Sequence, residues 1–270
     1  MSKTQTVHAS VYDYPVLYDA IFNSDWSREF KFLQFALRRF GGIEQAAQAR
    51  LFEPACGTGR LMYQFAKLGT EISGCDLNPL AVQYCNARLR RHGLKETAFV
   101  ADMCDVGRAN APDESFDAAF NLVSSFRHLE TENQARAHLK DAARILKPGG
   151  LYILGIHLTP ERGAPVCDVE KDTVYKWKLR VQSLLKVLNT NRKNRVETIS
   201  FEFIADSPKE KIHVIDVFPF RIYTRAHFAR LIKETGWFKI RETYDFNYDF
   251  SHPVPVDDES EDVVYILQKP

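Results

Sequence analysis

Between residues 50 and 158, short apolar runs alternate with stretches of helical period, and this alternation constrains the fold more than any other feature of the chain. Strands separated by helices of that length share a sheet only if each helix carries the chain back across one face, so the strands run parallel. The runs are Leu51 to Pro54, Glu71 to Asp76, Ala98 to Asp102, Phe116 to Leu122 and Leu151 to His157. Helices are predicted between them at about 58 to 68, 78 to 92 and 132 to 146. The last begins with a capping box, Thr131 followed by Gln134, and its end is marked by Lys147, Pro148, Gly149 and Gly150.

After residue 158 the pattern changes. Pro160, Gly163 and Pro165 interrupt the chain, and two-residue alternation then runs over Val196 to Ala205 and Lys211 to Phe218, joined at Ser207-Pro208. That predicts an antiparallel hairpin or small sheet. A helix capped by Thr224 and closed by Gly236 follows, with strands near 237 to 246 and 262 to 268 that return the chain to the main sheet. Ahead of the core, residues 1–45 hold aromatics at roughly helical intervals, which predicts a packed cover. The expected division is a helical lid at 1–45, a core at 46–158 and 221–270, and an inserted antiparallel subdomain at 159–220.

Thirty-six Lys plus Arg against 35 Asp plus Glu leave a net charge of +1, which gives no global field for polyanions and argues against a nucleic-acid partner. The longest uncharged apolar stretch, Leu151 to Leu158, falls well short of the roughly 20 residues of a membrane helix, so no membrane partner is expected. Residues 1–20 have no apolar segment of the secretory kind. The five cysteines (56, 75, 85, 104 and 167) form no C-x-x-C pair, and reduced thiols in the cytoplasm are expected.

The sharpest motif is LFEPACGTGR at 51–60, a strand that ends at Glu53, then a glycine-bearing turn and a helix. Small residues let the backbone approach a ligand there, and the helix start offers unpaired N–H groups. A nicotinamide fingerprint needs a third glycine where Met62 stands. An acid just before the turn also repels a pyrophosphate and suits a ligand with a positive group. The next strand ends at Asp76, where a carboxylate can accept both hydroxyls of a ribose, with Leu77 beside it to cover an adenine face. Strand three ends in Asp102-Met103, a carboxylate for an adenine amino group and an apolar contact. Strand four ends at Asn121, on the same edge of the sheet.

With EPACGTGR, GCDLNPLAVQYCNARL, ADMCDV, SFDAAFNLVSSFRHL and ARILKPGGLYILGIH in that order, the chain resembles a class I S-adenosylmethionine-dependent methyltransferase of the small-molecule type. Ala55 stands where the family's first motif has its first glycine. The resemblance implies a seven-stranded Rossmann-like α/β sheet of order 3-2-1-4-5-7-6, strand 7 antiparallel, with S-adenosylmethionine as cofactor. By the same resemblance Glu53 and Gly57 face its methionine portion, with Ala55 and Gly59 in the turn, Asp76 its ribose, and Asp102 with Met103 its adenine. Arg60 reaches the cofactor carboxylate or faces solvent. YDYPVLYDAIF resembles a lid in which a tyrosine closes over the cofactor, with Tyr14 and Tyr18 as candidates.

The segment after strand four reads Asn121-Leu122-Val123-Ser124 and lacks the Pro-Pro-aromatic step of methylases that act on nucleobase amines. A small-molecule acceptor is therefore expected, with an RNA or protein acceptor and a catalytically silent cofactor-binding protein as alternatives. Residues 171–195 hold eight basic residues against Asp172, and 245–262 hold seven acids, two patches expected to neutralise one another or stay solvated. Trp177 in the insert is expected to influence acceptor selectivity. If the nucleophile starts protonated, His128 or its rival His157 is the candidate base; otherwise proximity suffices. With no close Cys or His pair, no metal is expected.

Overall fold

The computed structural model describes residues 4–23, 26–161, 169–176, 178–208 and 210–270; Trp177 lies outside them. In chain order the elements are β1 (Gln5–His8), α1 (Pro15–Phe22), α2 (Trp26–Gly41), β2 (Arg50–Pro54), α3 (Arg60–Lys67), β3 (Glu71–Asp76), α4 (Pro79–Arg91), β4 (Ala98–Val100), β5 (Phe116–Asn121), α5 (Glu132–Ile145) and β6 (Leu146–His157). Then come β7 (Val169–Lys176), β8 (Leu179–Asn191), β9 (Val196–Asp206), β10 (Lys211–Arg221), α6 (Arg225–Thr235), β11 (Lys239–Asp245) and β12 (Asp262–Gln268).

Seven strands form the core sheet in the order β4-β3-β2-β5-β6-β12-β11. β2 to β6 pair in parallel, and β12 runs antiparallel to both β6 and β11. The fold is therefore α/β with a mostly parallel sheet. Continuous burial along β2, β5 and β12 is what a strand covered on both faces requires. One apolar cluster joins Phe52, Phe116 and Tyr152 to α5 and α6; another joins Leu51, Phe120 and Ile153 to α2, α3 and α4.

Local signals account for several boundaries. The Thr131 side chain accepts from the Gln134 N–H while the Gln134 side chain takes the Thr131 N–H. Asn78 caps α4 through the Leu80 and Ala81 N–H groups, and Gly236 closes α6 in the left-handed region. β6 starts earlier than its apolar run: Leu146 pairs with Phe116, and a register shift then brings Leu151 opposite Ala118. The Lys147-Pro148-Gly149-Gly150 step is thus an irregular first part of the strand rather than a separate loop.

The second sheet has the order β1-β10-β9-β8-β7. Its β9–β10 hairpin matches the alternation in the sequence, but β7 and β8 occupy the basic stretch that carried no strand expectation. The N-terminal segment is not wholly helical either, because β1 adds to this sheet in parallel with β10. The lid is anchored by buried Asp19 of α1, which accepts from Thr58 Oγ1 at 3.2 Å and Tyr84 Oη at 3.1 Å and pairs with Arg88.

Gly59 is required by sterics. It starts α3 with φ +68°, and a Cβ there would lie 2.1 Å from Cys85 Sγ of α4. Gly59→Ala should cost about 2 kcal/mol from left-handed strain and overpacking. Urea unfolding at wild-type stability would refute that account.

Candidate active site

The carboxyl ends of the parallel strands open into a cavity of about 1000 Å³, closed over by the lid and the inserted sheet. Its core side is lined by Ala55, Gly57, Asp76, Leu77, Asp102 and Met103. Ala55 and Gly57 both have positive φ, 53° and 54°, and a Cβ at Gly57 would meet nothing within 4 Å. The turn therefore presents bare backbone to the cavity. Asp76 holds its shape: Oδ2 accepts the Gly57 N–H at 2.8 Å and Oδ1 the Asn78 N–H at 2.9 Å. Burial raises the Asp76 carboxyl above its ordinary range, and those backbone donors offset the shift. Each carboxylate oxygen keeps a lone pair for a ligand hydroxyl. Asp102 accepts the Cys104 N–H at 2.8 Å, and Leu77 is 72% exposed beside it on the rim.

Five expected residues lie outside the lining. Glu53 sits behind the turn, 8% exposed, with Oε2 buried and without a hydrogen-bond partner. Burial pushes its carboxyl well up, against the pull of Arg60. Arg60 neither faces solvent nor lines the cavity; it makes a two-pronged ion pair with Glu29 of α2. Asn121 donates to the Pro54 carbonyl at 3.0 Å and ties β5 to β2. Gly59 serves the α3–α4 contact, and Tyr14 precedes α1 with its side chain outside the lining.

Of the lid tyrosines, Tyr18 lines the cavity, stacked on Phe22 at 4.4 Å, and burial pushes its hydroxyl up to about 12. The second is Tyr12, one of the aromatics in residues 1–45, and no motif singles it out. Its hydroxyl is 2.8 Å from His128 Nε2, with the tautomer deciding which group donates. His128 ends a short 3₁₀ turn, Ser125–His128, and packs against Phe218 and Phe220 of β10. Burial, with Arg127 beside it, lowers its pKa to about 4. His128 is therefore neutral at neutral pH. His157 lines the same cavity from the end of β6 and shares a 2.8 Å hydrogen bond between Nδ1 and Asp262. Arg127, nearly buried, pairs with Glu197 at 2.5 Å and donates to the Arg221 carbonyl at 3.1 Å.

The expected mutual neutralisation of the two charged patches is not what the structure shows. Lys186 pairs with Glu202, Arg195 with Glu132, and Arg192 donates to the Pro160 carbonyl. Among the described residues no group of three or more His, Cys, Asp or Glu is arranged to hold a metal ion, and no helix is long and apolar enough to cross a membrane.

Residues 52–150 match the family described as "Methyltransferase domain". A ubiquinone biosynthesis O-methyltransferase of Xanthomonas oryzae pv. oryzae (strain PXO99A) is 30% identical over 115 residues, 42% of this chain and 46% of that one. The chain spans about half the length of the curated relatives it matches. A solved S-adenosylmethionine-dependent methyltransferase from Clostridium acetobutylicum ATCC 824 superposes with a TM-score of 0.73 at 15% identity, covering 95% of this chain and 97% of that one. The sugar N-methyltransferase KedS8 from Streptoalloteichus does so with 0.68 at 17%, covering 100% and 97%. The fold is that of the Rossmann-like class I methyltransferases. Over segment 52–150 the chain is similar to methyltransferase domains, and solved structures of its fold include S-adenosylmethionine-dependent enzymes.

The residues present fit that cofactor. The orphaned Glu53 Oε2 behind the turn calls for a positive donor, and the cofactor's methionine portion has an ammonium group. The bare backbone at Gly57 leaves room for a close approach, and Asp76 and Asp102, both in the lining, offer carboxylate acceptors of the kind that ribose hydroxyls and an adenine amino group require.

Proposed function

We propose that this chain transfers a methyl group from S-adenosylmethionine to a small-molecule acceptor by in-line displacement. The observation that carries the reading is enclosure. Besides the strand-end residues, the cavity is walled by Tyr12 and Tyr18 of the lid and by Ser183, Leu185 and Phe201 of the inserted sheet. Relatives named for ubiquinone O-methylation and sugar N-methylation support a small acceptor.

Asp76 and Asp102 hold the ribose and adenine, and Glu53 answers the ammonium from behind the turn. When bound, the cofactor supplies a methyl group carried on positive sulfur. The walls then hold the acceptor in line with it, and alignment of that kind can supply about 7 to 11 kcal/mol without any acid or base. His128 takes the acceptor's proton, directly or through the Tyr12 hydroxyl. His157, whose Nδ1 is engaged by Asp262, is the rival base through its other ring nitrogen.

The test supplies methyl-labelled cofactor with a filtered, nuclease-treated metabolite extract in excess chelator. Label is expected in the small-molecule fraction. Label found only in nuclease-sensitive or protein fractions would replace this reading with a polymeric acceptor. Cofactor binding without any transfer would leave a silent binding protein.

A further inference from the structure

Beyond Asp76 and Asp102, the acids lining the cavity are Glu130, Glu170, Asp172, Glu197, Glu261 and Asp262. Among the described lining residues the only Arg or Lys is Arg127, and it is already paired with Glu197. His128 supplies no countercharge, being neutral above about pH 4. The cavity wall facing the acceptor is therefore strongly negative.

The acids are arranged and not merely numerous. Glu170 and Asp172, two residues apart on β7, both line the cavity, and Asp262, which shares one oxygen with His157, enters it from the start of β12. Burial raises the Glu170 carboxyl, and Asp262 and Asp172 push it further while His157 and Arg127 pull it back. Like charges are thus held close enough to feel one another, an arrangement that costs free energy until a cation arrives. A second observation agrees. Glu197 lines the cavity at 3% exposure, and its Oε1 is buried without a hydrogen-bond partner. A metal ion does not answer this need, since no described cluster is arranged to ligate one. A phosphorylated acceptor would meet repulsion from the acids and find no unpaired Lys or Arg on the wall.

We infer that the acceptor is an organic cation, a small molecule whose ammonium or amidinium group sits at Glu170, Asp172 and Asp262, and not a nucleotide-linked or otherwise phosphorylated compound. This rests on the proposal that the walled half of the cavity takes the acceptor. Glu170 and Asp172 then act as specificity residues. Their effect is on acceptor binding and leaves the cofactor side untouched.

The test uses three probes of one shape that differ in charge: 2-phenylethylamine, 2-phenylethanol and 3-phenylpropanoate, whose ring suits Phe201 and Phe220 in the lining. Calorimetry on the protein loaded with S-adenosylhomocysteine should show saturable binding of the amine that weakens with salt, and none of the other two. The double variant Glu170→Gln/Asp172→Asn should bind the amine about tenfold more weakly with unchanged S-adenosylhomocysteine affinity. Glu44→Gln, an exposed acid away from the cavity, should bind it normally. Equal binding of the alcohol or the carboxylate, no binding of the amine, or full amine affinity in the double variant would each overturn the inference. Failure of S-adenosylhomocysteine to bind the wild type would instead overturn the cofactor reading, and the amine would still be read on the protein alone.

Discussion

Asp76→Ala should weaken binding of S-adenosylmethionine by a factor of about 30 to 1000. The carboxylate has two tasks, and alanine ends both. It orders the turn by accepting the Gly57 and Asn78 N–H groups, and in the proposed binding mode its remaining lone pairs take the ribose hydroxyls. Charged hydrogen bonds of this kind are worth about 2 to 4 kcal/mol together, which converts to the quoted range. Asp76→Asn should fall between, because the amide oxygen still accepts but carries no charge. The pH dependence has a definite sign. Burial raises the carboxyl, so acidification should weaken the cofactor at a higher pH than an ordinary aspartate would, and alkaline conditions should leave it intact. Calorimetric affinity unchanged in a folded Asp76→Ala protein would remove Asp76 from the site.

His128→Ala should lower turnover by about 10²-fold while cofactor affinity stays put. A positioned general base contributes typically about 10² to 10⁴, and a base is most effective when its pKa lies near the working pH. Burial and Arg127 bring the His128 pKa down to about 4, so the imidazole is ready to accept a proton at neutral pH but holds it weakly, which places the effect at the low end. Its protonation state should not shape the rate above pH 6. The rate should fall only as pH drops towards 4. Near-normal turnover of the variant across pH 6 to 9 would leave alignment to supply the catalysis and His128 as packing against Phe218 and Phe220.

The reach of the sequence depends on how far apart the interacting residues lie. Thr131 and Gln134 are three residues apart, Thr224 and His227 likewise, and both caps form as their spacing requires. Asp76 and Asp102 reached the cavity because a strand-helix-strand unit sends each strand's end to the same edge. By contrast, β7 and β8 were hidden, because the basic residues among them masked the apolar alternation; Lys186 is held by Glu202 on the neighbouring β9. Arg60 is one residue past Gly59 in the cofactor motif, yet its partner comes from α2. No motif spacing announces that contact.

The sequence alone therefore determined the parallel order of the core, its caps, its glycine turn and the acids at its strand ends. These depend on backbone sterics and hydrogen bonds within a few residues, or on a chain path that repeats from one strand to the next. Only the tertiary structure decided which lid tyrosine meets His128, since Tyr12 and His128 lie 116 residues apart and Tyr14 is outside the lining. It also decided that Glu170, Asp172 and Asp262 line one cavity with Glu197. The charge a cavity presents is a sum over side chains from distant segments, and that sum exists only once β1 has joined β10 and the inserted sheet has closed over the core.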